Sequence, residues 1–215
     1  MVYDEAALVY RRNLIIADLH LGYELELERK GIAASQLEQM KRRIEKLIDL
    51  TRPKRVVILG DLKHLVALPA MPEKGLVLEL LSFVKEFCEV VLVRGNHDSG
   101  IERICRDLEI LPELRLGSTL LAHGHRRLKG LDEKVRTIVI AHVHPLIRAE
   151  KAWLIGRYEK RRLVVMPAFS DLVGGVDVSM AGQELIGPIA KRASFDCAYT
   201  LKAVEVNIPW TRSRS

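Results

Sequence analysis

Three short apolar runs in the first half of the chain each end in polar, chemistry-bearing residues. Residues 13–17, 55–59 and 90–93 are rich in Val, Ile and Leu. They are too short for helices and show no polar alternation, so they read as strands buried on both faces. Between them lie two amphipathic stretches. Over about 35–50, Leu37, Met40, Ile44, Leu47 and Ile48 keep one apolar face, with Ser35 and Glu38 spaced as a capping box and Pro53 closing the segment. Over about 75–87, Val77, Leu80, Leu81, Val84 and Phe87 do the same. Strand, helix, strand, helix, strand predicts a parallel sheet covered by helices.

The second half changes rhythm. Short strand candidates at 119–122, 136–141, 145–148, 151–155 and 162–166 follow one another with brief polar breaks. They predict a second, hairpin-rich sheet, and with it an α/β sandwich in one domain spanning 1–215. Residues 174–193 are Gly-rich and irregular, and 211–215 read as a frayed tail.

Composition narrows the setting. A chain of 215 residues with 48% hydrophobic and 29% charged residues is of globular, not disordered, type. It has no uncharged apolar run long enough to span a bilayer and no apolar leader at its start. Cys88, Cys105 and Cys197 are odd in number and unpaired in spacing, which predicts neither a disulfide framework nor a thiolate zinc site, and suits the cytoplasm. Few amides beside many Lys, Arg and Glu are a balance found in thermophilic proteins. The net charge of +6 favours polyanionic partners. Of the basic clusters, Arg126, Arg127 and Lys129 are the better candidates for such a contact, because they follow His123.

The candidate chemistry sits at the strand ends, where open α/β sheets bind ligands. Five clusters occur there: Asp18 with His20, Asp61 with His64, Asn96-His97-Asp98, His123 with His125, and His142 with His144. If the backbone stays extended, residues i and i+2 share a face, so Asp18/His20 and His142/His144 would each address one cation. Carboxylate, amide and imidazole without thiolate suit Mn, Fe, Zn or Co. Asp18, His20, Asp61, Asn96, His123, His142 and His144 supply the seven side chains and one shared carboxylate that a two-cation phosphoryl site needs.

Five motifs in this order resemble the calcineurin-like metallophosphoesterases, whose fold is a sandwich of two mixed sheets flanked by helices. The resemblance covers residues 14 to about 146. It implies a phosphoesterase with two divalent ions, manganese foremost, with Fe, Zn, Co or Ni as alternatives. Asp18, His20, Asp61 and His144 would hold one; Asp61, Asn96, His123 and His142 the other. It further implies that His97 assists the leaving group, that Asp98 orients the His97 ring, and that His64 contacts the phosphate. His64, the Pro167-Ala168-Phe169 segment and residues 141–145 are similar to small archaeal SbcD-related phosphoesterases and bacterial ligase-associated endonucleases. The implied substrate is a phosphodiester, with DNA in a repair setting as the nuclease reading. A small-molecule phosphatase or cyclic-nucleotide phosphodiesterase is the alternative, and a non-catalytic scaffold a third. No membrane partner is expected, and the oligomeric state is open, a homodimer included. His125 is either a donor to a ligand or a loop residue, with the loop slightly favoured. The apolar stretch 65–72 is a substrate wall, a dimer contact or a cover for the sheet edge, and Trp153 and Trp210 read as packing residues.

Overall fold

In a computed structural model, which describes residues 1–67, 71–180 and 182–208, the three apolar runs become adjacent strands of one sheet. Its strands are β1 (Leu8–Tyr10), β2 (Asn13–Ile16), β3 (Arg55–Ile58), β4 (Glu89–Val93) and β5 (Glu109–Leu111), side by side in that order. β2 to β5 are parallel, and β1 caps the edge antiparallel to β2. Helices α1 (Tyr23–Arg29), α2 (Leu37–Thr51) and α3 (Glu73–Lys85) provide the crossovers.

Side-chain parity builds the layers. Leu14, Ile16, Val56, Ile58 and Leu92 pack with Met40, Ile44, Leu47, Val77 and Leu80 of the helices. Their neighbours Ile15, Val57, Val91 and Val93 turn the other way and meet Leu121, Val139, Trp153 and Met166 of a second sheet. Burying such a side chain is worth roughly 1.5–3 kcal/mol, so a one-residue slip of any strand would forfeit both cores at once.

The second sheet comprises β6 (Leu114–Leu116), β7 (Thr119–Leu121), β8 (Thr137–Ile140), β9 (Pro145–Ile147), β10 (Glu150–Tyr158), β11 (Arg161–Val165), β12 (Val176–Asp177), β13 (Ser194–Thr200) and β14 (Glu205–Val206). The path runs β12-β9-β10-β11-β8-β7-β6, with β13 pairing β10 and β14. Hairpins do join β6 to β7, β9 to β10 and β10 to β11. However, β7, β8 and β11 run parallel, so the sheet is mixed. Its outer face is covered by Val178, Leu185, Ile189 and Phe195, side chains of irregular chain and of β13. The whole is the expected sandwich of two mixed sheets in one domain.

Several local expectations need correction. The α2 N-cap is Gln36, not Ser35, and no side chain caps the helix; the Gln36 amide is turned inward to bond Glu24 and the His20 carbonyl. Phe87 lies past the end of α3 and is 43% exposed, whereas Trp153 is core at 1%. β1, α1, β5, β6 and β12–β14 are elements that the hydrophobic pattern does not reveal. Residues 68–70, Trp210 and the tail 211–215 lie outside the described residues. Among the described residues, no helix is long and apolar enough to cross a membrane.

Candidate metal centre

The ladder between β2 and β3 continues past the strands into the loops that carry the chemistry. Leu59 N–H donates to Ile16 O (2.7 Å), Asp18 N–H to Gly60 O (3.1 Å) and His20 N–H to Asp61 O (2.9 Å). The two sheets are then tied at this edge, where Phe169 N–H donates to Ala17 O (2.7 Å); within the second sheet, Ala141 N–H donates to His123 O (3.0 Å). His142 N–H donates to Asp18 Oδ2 at 3.1 Å, so one carboxylate spans both sheets.

The backbone here is not extended. Asp18, His20, Asp61, His142 and His144 all take left-handed φ values, between 47° and 70°. Such a conformation costs of order 1–3 kcal/mol per non-glycine residue, and persists only where the surroundings enforce it. Asp18 and His20 therefore come together through tight turns beyond the strand ends, not by sharing a pleat, whereas His142 and His144 fall into different groups. Two glycines make room. A Cβ on Gly95 would sit 2.1 Å from Asp61 Oδ1, and one on Gly60 (φ 86°) would sit 2.3 Å from the His123 ring.

The side chains gather into a continuous cluster. His123 Nε2 lies 2.9 Å from Asp18 Oδ1 and 3.5 Å from Asp61 Oδ2. His144 Nε2 is 3.4 Å from Asp18 Oδ2, and His20 Nε2 is 3.8 Å from Asp61 Oδ2. Two groups have ligand atoms within 4.8 Å of one another: Asp18/His20/His144 and Asp61/His123/His142. His20, His64 and His97 form a third. Asn96 lines the same cleft.

Electrostatics favour cation ligation. Burial pushes His20 down to about 3 and His142 to about 4, so both imidazoles are neutral, the form that ligates metal. Burial pushes Asp61 up to about 6, which a cation beside it would reverse. For Asp18, burial acts upward too, but the His144 and His123 rings outweigh it and hold the carboxyl well below its usual range. Both nitrogens of His20, Nε2 of His144 and Oδ1 of Asn96 are buried without a hydrogen-bond partner. Leaving such groups unpaired costs about 1–3 kcal/mol each. A pair of divalent ions is what this donor set fits.

The neighbours of the cluster differ from expectation in two places. Asp98 does not touch the His97 ring. It is fully buried and accepts from the backbone N–H groups of Asp61 (2.9 Å), Leu62 (2.9 Å) and Gly95 (2.7 Å). It locks two metal-side loops together, because those N–H groups have no strand partner. His97 Nδ1 instead bonds the His64 carbonyl, and its Nε2 lies 3.9 Å from Asp61 Oδ2. His125 contacts a candidate ligand rather than standing free, its Nδ1 being 3.0 Å from His123 Nδ1. Arg126 Nε donates to His125 Nε2 at 2.7 Å. Burial pushes His125 down to about 3 and keeps it neutral.

The His64 ring stacks on His97 (centroids 5.7 Å apart), and its Nε2 meets Glu26 Oε2 at 3.1 Å. Arg94 pairs with Glu102, so it serves structure. Sequence reasoning missed the buried polar support under His20. Glu24 accepts from Gly22 N–H (3.0 Å) and Gln36 (2.7 Å), while Ser170 donates to Gln36 Oε1 (2.7 Å). It also missed Glu73, which accepts from His64 N–H (3.0 Å) and Leu65 N–H (2.8 Å), and the buried Lys63, bonded to the Leu65 and Ala67 carbonyls. Polar residues inside otherwise apolar stretches, such as Gln36 beside Leu37, were the available signal.

Clustered imidazoles and carboxylates at the shared edge of two packed sheets define a metal-dependent hydrolase site. A family model for calcineurin-like phosphoesterases matches residues 12–179, and the chain belongs to that family of metal-dependent phosphoesterases. Among solved structures, it is similar to the nuclease MPE of Pseudomonas putida, at 24% identity and a TM-score of 0.62, over 90% of this chain and 96% of that one. It is also similar to Yfce, a phosphoesterase from E. coli, at 20% identity and a TM-score of 0.44, over 93% and 99% of the two chains. No curated protein sequence matches significantly.

Proposed function

We propose that this protein hydrolyses phosphodiester bonds with two divalent cations, manganese foremost, and that DNA is its substrate class. Asp18, His20, Asp61 and His144 hold one ion; Asp61, Asn96, His123 and His142 hold the other, with Asp61 shared. The observation that carries this reading is the set of buried, unpartnered donor atoms on His20, Asn96 and His144 converging on two carboxylates. When bound, a divalent pair supplies Lewis acidity and lowers the pKa of water at the phosphorus.

The protein's own groups do the rest. The His64 carbonyl accepts from His97 Nδ1–H, which turns Nε2 toward the departing oxygen, where the ring passes a proton only as imidazolium, protonated on both nitrogens. The His64 ring, steadied by Glu26, faces the phosphate beside His97. Asp98 holds the Asp61 and Asn96 loops at fixed separation. The net charge of +6 and the nuclease named among the structural neighbours support the DNA assignment.

The test is hydrolysis by chelator-stripped, Mn²⁺-reloaded protein of labelled single- and double-stranded DNA and of an aryl phosphodiester, with His97→Ala in parallel. DNA cleavage that disappears in the variant is the expected result. Aryl diester turnover with intact DNA would move the substrate to small molecules, and no metal-dependent turnover of either would refute the reading.

A further inference from the structure

The cleft over the metal centre, of about 270 Å³, has two unlike sides. One is the imidazole and carboxylate cluster. The other is built from Gly174, Gly175, Val176 and Ile186, on the start of β12 and the irregular chain around it. This wall is fastened to the cluster: His144 Nδ1 bonds Gly174 O at 3.0 Å, and Val176 N–H donates to His144 O at 3.1 Å. It carries no charged side chain, so it offers nothing to a second phosphate charge and is suited to an uncharged group.

The two glycines are not equivalent. A Cβ on Gly175 would fall 1.8 Å from His144 O, so the close backbone approach requires glycine there. A Cβ on Gly174 would meet nothing within 4 Å, and its φ is not left-handed. Neither packing nor backbone conformation demands glycine at 174. What its missing side chain leaves is room in the cleft, on the wall that the exposed Ile186 also lines.

Resting on the phosphodiesterase reading above, we propose that Gly174 and Ile186 set specificity: the wall receives the uncharged aryl or nucleoside substituent that the phosphate keeps. His97, which serves the departing oxygen, and Gly174, fastened to His144, are separate parts of the cleft lining, so the leaving and the retained substituent would meet different residues.

The experiment compares bis(p-nitrophenyl) phosphate with methyl p-nitrophenyl phosphate, which share a leaving group and differ only in the retained substituent. Gly174→Leu is expected to lower the ratio of kcat/KM, aryl over methyl, by about tenfold or more. Ile186→Ala is expected to lower it through KM by about threefold to tenfold, and Ile186→Leu to restore it. Mn²⁺ binding measured by calorimetry should stay at the wild-type value in all three. A ratio unchanged in both Gly174→Leu and Ile186→Ala overturns the proposal. If Gly174→Leu does not fold, the Ile186 pair decides alone. Wild-type protein that turns over neither diester would refute the phosphodiesterase reading itself, a distinct outcome.

Discussion

The two sheets contribute to the centre in different ways. The first supplies both carboxylates, Asp18 and Asp61, together with Asn96, on loops pinned from beneath by further buried acids. Asp98, Glu24 and Glu73 together accept from six backbone N–H groups there. The second sheet supplies imidazoles only, His123, His142 and His144, held through another ring and through main-chain carbonyls. Charge-assisted bonds from a carboxylate are the stronger kind, roughly twice a neutral one. The first sheet therefore acts as the fixed frame of the site, and the second as a set of imidazole ligands.

The sharpest way to break this picture is at the carboxylate placed between the two groups. Asp61→Asn should abolish metal-dependent turnover, and a near wild-type rate would refute the sharing of Asp61. Next in size, His97→Ala should keep metal binding and lose about 10²–10⁴-fold in rate, the usual worth of acid–base help; an intact rate would take His97 out of that role. His125→Ala, which removes the group that orients His123, should weaken Mn²⁺ binding by about 10–100-fold without lowering the folded stability of the metal-free chain. Asp98→Asn, by contrast, should lower the stability of the metal-free chain. Losing one buried acceptor costs about 1–3 kcal/mol. That is a drop of roughly 2–12 °C in Tm for a chain of this size, visible by calorimetry without any metal. If both variants lower Tm equally in metal-free protein, the distinction between frame and ligand set fails. Smallest and most general, Mn²⁺ at about 100 times its Kd should add about 2.7 kcal/mol of stability, read as a Tm that falls on chelation.

The sequence disclosed the strand ends because both cores demand unbroken apolar runs, and such runs stop where the chain turns polar. Residues 13–17, 55–59 and 90–93 therefore pointed straight at Asp18, Asp61 and Asn96. It could not disclose how Asp18 and His20 meet. A left-handed turn leaves no mark in a pattern of hydrophobicity, and the extended-strand argument also put His142 and His144 on one cation, whereas the turns place those rings in different groups. Asp98 stands next to His97 in the chain, which suggested contact, yet its carboxylate turns to backbone donors three or more residues away. The Glu24–Gln36–Ser170 support depends on residues as far as 134 positions apart, so only the folded chain brings it together. Short edge strands such as β5 and β6, three residues each, carry too little periodicity to be found.

The central claim is a two-cation centre organised around Asp61. Its most direct test is the number of Mn²⁺ ions bound per chain, by titration calorimetry on chelator-stripped wild type and Asp61→Asn. Two ions in the wild type, with loss of at least one in the variant, is the predicted result. A single ion in the wild type, or two ions held equally well by Asp61→Asn, would contradict it.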